Sequence, residues 1–272
     1  MTMDRRQALT HIIGISGAAA GSVLMANPVL AATQTAEGWS LTVGERLAYA
    51  KLDPYAVAKA AYEAGNGCMY QVFHGIISSL AQSDSPDAAK FAQVPTALAH
   101  YGYAGILGEG SVCGNVNASG MLFNLLSING EAANAYLTRV LRYYEQESLP
   151  LRDDAFLDAI GANTEELKAK VGQPTVAGSL LCHSSITNWA RTNGKNAKDK
   201  GERCSELSAS IAYQIVVILN KAMDGEDLTG IGEMTDTVGS CKTCHSKADS
   251  FGPSVMTNME CDTCHGGHYV GN

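Results

Sequence analysis

Two closely spaced cysteine pairs lie in the final segment of the sequence, Cys241 with Cys244 and Cys261 with Cys264. They account for half of the 8 cysteines, and the glycine-rich residues around them include few large apolar side chains. Below about 40 residues a segment rarely buries enough apolar surface to fold without a metal, disulfides or a partner. We therefore expect a bound group to organise this segment, and the rest of the chain or a second copy of it to cover that group.

The residue after each pair distinguishes two possible groups. The pairs are 16 residues apart, a spacing that also suits a four-cysteine zinc site. However, His245 directly follows the first pair and His265 the second. A zinc site of that kind does not need these histidines, whereas a covalently attached haem uses both thiols for thioether bonds and the next imidazole as an iron ligand. The sequence thus predicts two c-type haems, attached at Cys241, Cys244 and His245 and at Cys261, Cys264 and His265.

The N-terminal residues have the features of an export signal. Arg5 and Arg6 precede a Gly/Ala-rich stretch that ends in small residues at Ala31 and Ala32. A membrane anchor is the alternative, but it needs about 18 strongly apolar residues, and this stretch is interrupted by Gly, Ser and Asn. We predict that residues 1–32 are a cleaved twin-arginine signal and that the mature protein is periplasmic, with no membrane span left. Such signals typically carry proteins that fold around a cofactor before export.

The pattern of apolar residues predicts an all-α fold for the main part of the chain. From about residue 43 to 223 apolar residues recur at intervals of three and four, and no segment shows the alternation of a strand. Asp53 and Pro54 are a typical cap and first residue of a helix. Later helices are expected over residues 176–191 and 204–223. With 27 acidic and 19 basic residues, the chain has no positive stripe for nucleic acid.

The composition changes after this helical part. Residues 224–240 are rich in glycine and acidic side chains and lack periodicity, so we interpret them as a linker. The sequence then predicts a helical domain over residues 40–223 and a mostly irregular haem-binding segment over residues 241–272. Because this segment has little apolar surface, haem burial favours a homodimer.

The remaining four cysteines are widely spaced in the helical part, at Cys68, Cys113, Cys182 and Cys204. Cys68 and Cys113 follow glycine-rich turns at the starts of helices, where thiols ionise more easily and amide groups can contact sulfur. Four thiolates suffice for an iron-sulfur cluster. Two disulfides or inert buried cysteines are the alternatives. The export signal favours a cluster, with 2Fe-2S as the preferred type, because a cluster assembled in the cytoplasm explains folding before export.

Each haem iron has a second axial position. Apart from His11 in the signal, the histidines outside the two motifs are His74, His100, His183 and His268. Thioether alternatives are Met256 and Met259. His268 lies only three positions after His265, so the chain cannot pass around the porphyrin to the opposite face of the same iron. His268 can therefore ligate only a different haem.

The other histidines differ in their surroundings. His74 and His183 lie close in sequence to Cys68 and Cys182, and can belong to that neighbourhood. His100 has no such constraint. We predict bis-histidine ligation by His100 and His268, with His74 as the reserve candidate.

The pattern of the body cysteines resembles a known family. Residues 50–221 are similar to the C-GCAxxG-C-C redox proteins, through Cys68 in GCMYQVFHG, Cys113 with Gly114 in GEGSVCGNVNASG, Cys182 in SLLCHS and Cys204 in GERCSEL. This resemblance assigns the four cysteines to an iron-sulfur centre. The sequence departs from the family pattern after Cys113-Gly114, where Asn115 stands in place of a small apolar residue.

Together with the export signal and the two C-terminal haem motifs, the chain resembles the split-Soret cytochromes c of anaerobic sulfate reducers. That resemblance implies a homodimer with two closely stacked, bis-histidine haems per chain, one axial histidine being donated by the other subunit. It also implies an iron-sulfur centre remote from the haems. Fully ligated irons favour an electron carrier that exchanges electrons with soluble or membrane-associated redox partners in anaerobic respiration. A reductase with an open haem or cluster site is the alternative.

Overall fold

The protein is mainly helical, which confirms the predicted fold class. The structure, a computed structural model, describes residues 38–246 and 254–266. From Trp39 onward these residues belong to one compact unit. The α-helices are α1 (Pro54–Ala64), α2 (Cys68–Ala81), α3 (Ala88–Phe91), α4 (Gly114–Leu125), α5 (Leu137–Gln146), α6 (Asp154–Ile160), α7 (Glu165–Val171), α8 (Cys182–Asn193), α9 (Gly201–Asp224) and α10 (Asp236–His245). Short 3₁₀ helices cover Thr96–Gly102, Ala133–Tyr136 and Ala197–Asp199.

The long helix α9 is the centre of the core. It packs against α1 and α2 and also contacts α4 and α5. Its apolar side chains at Leu207, Ile211, Ile215 and Leu219 are almost completely buried. Asp53 caps α1 as predicted, because its carboxylate accepts hydrogen bonds from the next free backbone N–H groups of the helix.

The strands are too short to leave a sequence pattern. β1 (Leu47–Ala48) pairs in parallel with β2 (Leu126–Ile128), and β2 pairs antiparallel with β3 (Glu131–Ala132). A second pair is formed by β4 (Ser148–Leu149) and β5 (Thr175–Val176). Strands of two or three residues cannot show a recognisable alternation, so periodicity does not predict them.

Two predicted boundaries differ from the structure. The helix expected from residue 176 begins only at Cys182, because Val176 pairs in β5 and the turn that follows contains Gly178 with a positive φ of 65°. The linker is expected over residues 224–240, but α10 already begins at Asp236. The Thr235 side chain caps this helix by accepting a hydrogen bond from the N–H of Val238. The first haem motif therefore lies in a helix, whereas residues 254–266 are irregular as predicted.

The predicted signal at residues 1–32, with Arg5 and Arg6, lies outside the described residues, as does His268. Among the residues that are described, none of the helices combines the length and the apolar character that crossing a membrane requires.

Candidate cofactor sites

The four body cysteines all lie at the first turns of helices. Cys68 is the first residue of α2, Cys113 caps α4, Cys182 is the first residue of α8, and Cys204 lies in the first turn of α9. Helix N-termini carry free N–H groups and a partial positive charge. The fold thus presents four sulfurs from four positive helix ends, an arrangement that stabilises negative charge.

These four residues line one cavity of about 290 Å³ inside the helical body. Cys68, Cys113 and Cys182 are buried, and Cys204 is half-buried. All eight cysteines lie in the described residues and are free thiols there. Within the described residues, no three or more His, Cys, Asp or Glu side chains are close enough to hold a single metal ion.

Gly114 allows Cys68 to approach Cys113. A Cβ atom at Gly114 would lie 2.6 Å from the Cys68 Sγ, 2.6 Å from a backbone carbonyl oxygen and 2.8 Å from the backbone nitrogen of Met69. Because two of these three atoms belong to the backbone, they cannot easily move aside. The Cys-Gly pair of the sequence pattern is therefore explained by packing at the cavity.

The loop before Cys113 has an unusual backbone. Residues 104–108 all have positive φ, including Ala104 and Ile106. A left-handed backbone is unfavourable for residues with a Cβ atom and tends to occur where the surrounding structure imposes it. Here it brings Ala104 to the cavity. The backbone N–H of Ala104 acts to lower the pKa of Cys68, but larger effects raise that pKa overall. Gly105 is required because a Cβ atom there would lie 2.8 Å from the Cβ of Cys182.

The cavity perturbs the ionisation of its thiols. A hydrogen bond between Cys68 and Cys113 raises the pKa of Cys68 well above its usual value and lowers the pKa of Cys113. Burial, followed by the nearby Cys204, raises the pKa of Cys182 to about 12. Burial also raises the pKa of Cys204. Since metals bind thiolates, iron binding here would displace protons that are otherwise held tightly.

Two buried hydrogen-bond donors around the cavity have no acceptor. They are the amide nitrogen of Asn115 and the Nε of Arg203, and both side chains line the cavity, as does Tyr144, whose hydroxyl is within hydrogen-bonding reach of Cys113. Each side chain is at most 1% exposed. Buried donors without acceptors are rare because each costs about 1–3 kcal/mol. Their convergence on one cavity fits a group rich in acceptors and negative charge, such as the sulfide and thiolate sulfurs of a cluster.

The first haem motif lies on one helical face. In α10, Cys244 and His245 follow Cys241 by three and four positions, so all three side chains point to the same side of the helix. The second motif has a similar helical turn, because the N–H of His265 donates to the carbonyl of Cys261 at 3.0 Å. Each motif therefore presents two thiols and an imidazole together, as thioether attachment and iron ligation require.

The two motifs lie side by side. The thiols of Cys241 and Cys261 are within hydrogen-bonding reach of each other, and their interaction adds to the effect of burial in raising the pKa of Cys261. Cys244 and Cys264 are exposed. The sequence spacing left the distance between the motifs open, and the structure brings their first cysteines close together.

Polar contacts fix the second motif and the residues before it to the helical body. The buried Arg142 of α5 forms an ion pair with Glu145 at 2.6 Å and donates to the backbone carbonyl of Asn258. The hydroxyl of Thr263, inside the second motif, donates to the carbonyl of Gly178. A cleft of about 680 Å³ lies between α5 and residues 254–259, next to the first motif. Its exposed apolar side chains include Met256.

Two of the candidate distal histidines, His74 and His100, lie in the helical body. His74 is half-buried, stacks on Tyr70 at 4.8 Å and bonds through Nδ1 to the Thr96 hydroxyl at 2.9 Å, and burial lowers its pKa. His100 is exposed, with its ring 5.2 Å from that of Tyr103, which lines the cysteine cavity. Its role as a haem ligand stays a prediction, as does that of His268.

His183 is also exposed and bonds through Nδ1 to the carbonyl of Gly110 at 3.1 Å. Of the thioether alternatives, Met256 is fully exposed and Met259 packs against the core.

No family model matches the sequence. The chain is 27% identical over 270 residues to a protein of Desulfovibrio desulfuricans named split-Soret cytochrome c, with 94% of this chain and 93% of that protein covered. A solved structure from the same organism, described as containing a novel iron centre in the split-Soret cytochrome c, matches with a TM-score of 0.67 and 27% identity. That match covers 81% of this chain and 90% of the other.

The chain is similar to split-Soret cytochrome c in both sequence and fold. The resemblance inferred from the cysteine motifs is thereby confirmed. The similarity supports a c-type cytochrome that carries haem and works in electron transfer. The solved relative contains an iron centre in addition to being a cytochrome, and the present chain likewise has candidate sites for both kinds of group.

Some cavity residues were not predicted from the sequence. Arg203 directly precedes Cys204, and Lys200 lies one turn before it, so a search for basic residues next to the body cysteines would have found both. Asn115 was visible only as a departure from the family pattern. Tyr144 gives no sequence signal, since it reaches the cavity from α5, far from any cysteine in sequence.

Proposed function

We propose that the protein is a periplasmic electron carrier with two covalently bound haems and a 2Fe-2S cluster in each chain. The observation that carries the proposal is that the first cysteines of the two haem attachment motifs lie close together, because adjacent haems favour rapid exchange of electrons rather than separate reactions. The similarity to a c-type cytochrome supports the same reading. The role would be in anaerobic respiration.

The residues that would hold each group follow from the geometry. Cys241 with Cys244, and Cys261 with Cys264, would form the thioether bonds, and the histidine after each pair would bind iron. The body cysteines would hold the cluster, and its acceptor sulfurs would satisfy the buried donors of Asn115 and Arg203 at the cavity. Two disulfides would leave those donors unpaired. When bound, haem iron and cluster iron change oxidation state by one electron and need no bond to a substrate.

A homodimer completes the proposal. His100 is exposed on the helical body, so it can reach a haem of a second chain, and the exposed Met256 and Val255 beside the first motif are apolar surface that a partner would cover. In this arrangement each chain donates an axial histidine to its partner. Export by the twin-arginine route would place the assembled protein in the periplasm.

An absorption spectrum with iron and acid-labile sulfide analysis tests the proposal directly. The reduced protein should show the α-band of thioether-linked haem, two haems per chain and additional iron with matching sulfide. Added CO should leave the spectrum unchanged, because both axial positions are filled. Zinc in place of haem would contradict the carrier, and stoichiometric binding of CO or nitrite would favour the reductase instead.

A further inference from the structure

The guanidinium of Arg203 is a buried positive charge at the cysteine cavity. Its side chain is 1% exposed, and no ion pair joins it to a carboxylate anywhere in the described residues. One guanidinium nitrogen donates to the Ser185 hydroxyl at 2.8 Å, while Nε has no acceptor. An unpaired buried charge costs several kcal/mol. The three other deeply buried ionic side chains of the described residues, Arg142, Glu145 and Glu206, all have ion-pair partners.

The position of Arg203 directs this charge to the cysteines. Arg203 directly precedes Cys204 in the first turn of α9, and Ser185 lies one turn after Cys182 in α8. The hydrogen bond from Arg203 to Ser185 therefore ties together the starts of two helices that each present a sulfur to the cavity. The nearby Lys200 also lines the cavity but is only half-buried, so water screens its charge more.

We propose that Arg203 is the positioning residue that balances the negative charge of the cluster and favours its reduced form. This inference rests on the cluster of the proposed function. Four thiolates give an iron-sulfur cluster a net negative charge, which increases by one when an external donor supplies an electron. A fixed buried cation is attracted more strongly to the reduced cluster than to the oxidised one, so it raises the reduction potential.

Asn115 and Tyr144 should act in the same direction but more weakly. Both offer neutral donors to the cavity, the Asn115 amide through Nδ2 while its Oδ1 accepts from Ser208 at 2.8 Å. Hydrogen bonds from charged donors are roughly twice as strong as those from neutral donors. The expected order of effects on the cluster potential is therefore Arg203 first, then the two neutral residues.

The test is a redox titration of the holoprotein with dithionite, monitored by the EPR signal of the reduced cluster. Arg203→Met should shift the one-electron equilibrium towards the oxidised cluster by at least about tenfold. This shift corresponds to a fall of about 59 mV in the reduction potential. Arg203→Lys retains the charge and should stay within about threefold of the original. Arg191→Met is the matched control, since it removes an exposed cation nearby and should leave the equilibrium unchanged.

Thermal unfolding gives an independent readout. Without a cluster, Arg203 is an uncompensated buried charge, so Arg203→Met should raise the unfolding temperature of protein whose cluster has been removed by a chelator, and lower that of the holoprotein. A full cluster with an unchanged potential in Arg203→Met would overturn the inference, as would a lower unfolding temperature of the cluster-free variant. If the original protein contains no acid-labile sulfide, the proposed cluster itself is wrong.

Discussion

The cysteine cavity and the haem motifs present their ligands in different ways. Three of the four body cysteines are buried at helix ends that the core holds in place. In the haem motifs Cys244 and Cys264 are exposed, and the segment is attached to the body by a few polar contacts. The body thus positions its ligands through its own core, whereas the haem segment is more exposed and is held by fewer contacts. The contrast favours cluster assembly in a folded body and haem attachment to a segment that is still accessible.

The largest expected effect is the separate loss of each cofactor. Cys113→Ser should abolish acid-labile sulfide and leave haem content unchanged, because the haem motifs do not use the cavity. Cys264→Ser should halve the haem content and leave sulfide unchanged. Haem staining and sulfide analysis of both variants measure this. Loss of both cofactors in either variant would show that the two regions assemble as one.

The next largest effect is expected from breaking the main contact between the helical body and the haem segment. Arg142→Met leaves Glu145 as a buried carboxylate without its cation and removes the bond to Asn258, so the free energy of unfolding should fall by about 3–5 kcal/mol. Urea unfolding measures the change. The double variant Arg142→Met with Glu145→Gln should recover more than half of the loss, because no uncompensated charge remains. Equal losses in both variants would argue against the ion pair as the cause.

The packing of the cavity itself can be tested on α4. Gly114→Ala should lower the free energy of unfolding by about 1–3 kcal/mol and reduce sulfide content, because its new Cβ would overlap Cys68 and the backbone. Gly120→Ala is the matched control on the same helix. It has no atom within 4 Å of the new Cβ and should stabilise the protein by about 0.5–1 kcal/mol. The same loss in both variants would indicate a general effect on the helix.

The smallest expected effect compares equivalent positions of the two haem motifs. Thr263 donates to the body at Gly178, whereas the bond of Thr243 among the described residues is within its own helix, to the carbonyl of Gly239 at 3.3 Å. Thr263→Val should cost about 0.5–1.5 kcal/mol and Thr243→Val less than about 0.5 kcal/mol in urea unfolding. A larger cost for Thr243→Val would mean that the first motif, not the second, is the one attached to the body.

The sequence predicted the helical fold and the candidate ligands better than it predicted their surroundings. Helical periodicity and the Asp53 cap are local signals, so α1 was located closely. The short strands and the late start of α8 depend on pairing between distant residues, which periodicity does not record. The cavity donor Tyr144 comes from a helix with no cysteine, so only the fold could bring it there. The contact between Cys241 and Cys261 likewise depends on a chain path that spacing alone leaves open.

That contact has a consequence for the handling of the protein. In an oxidising compartment two neighbouring free thiols can form a disulfide, and a Cys241 to Cys261 bond would consume one attachment point from each haem motif at once. Air oxidation would then compete with thioether formation during maturation. If the disulfide formed first, neither motif could attach its haem through both thiols. Preparations that lack haem should accordingly regain the capacity to bind it only after treatment with a reductant.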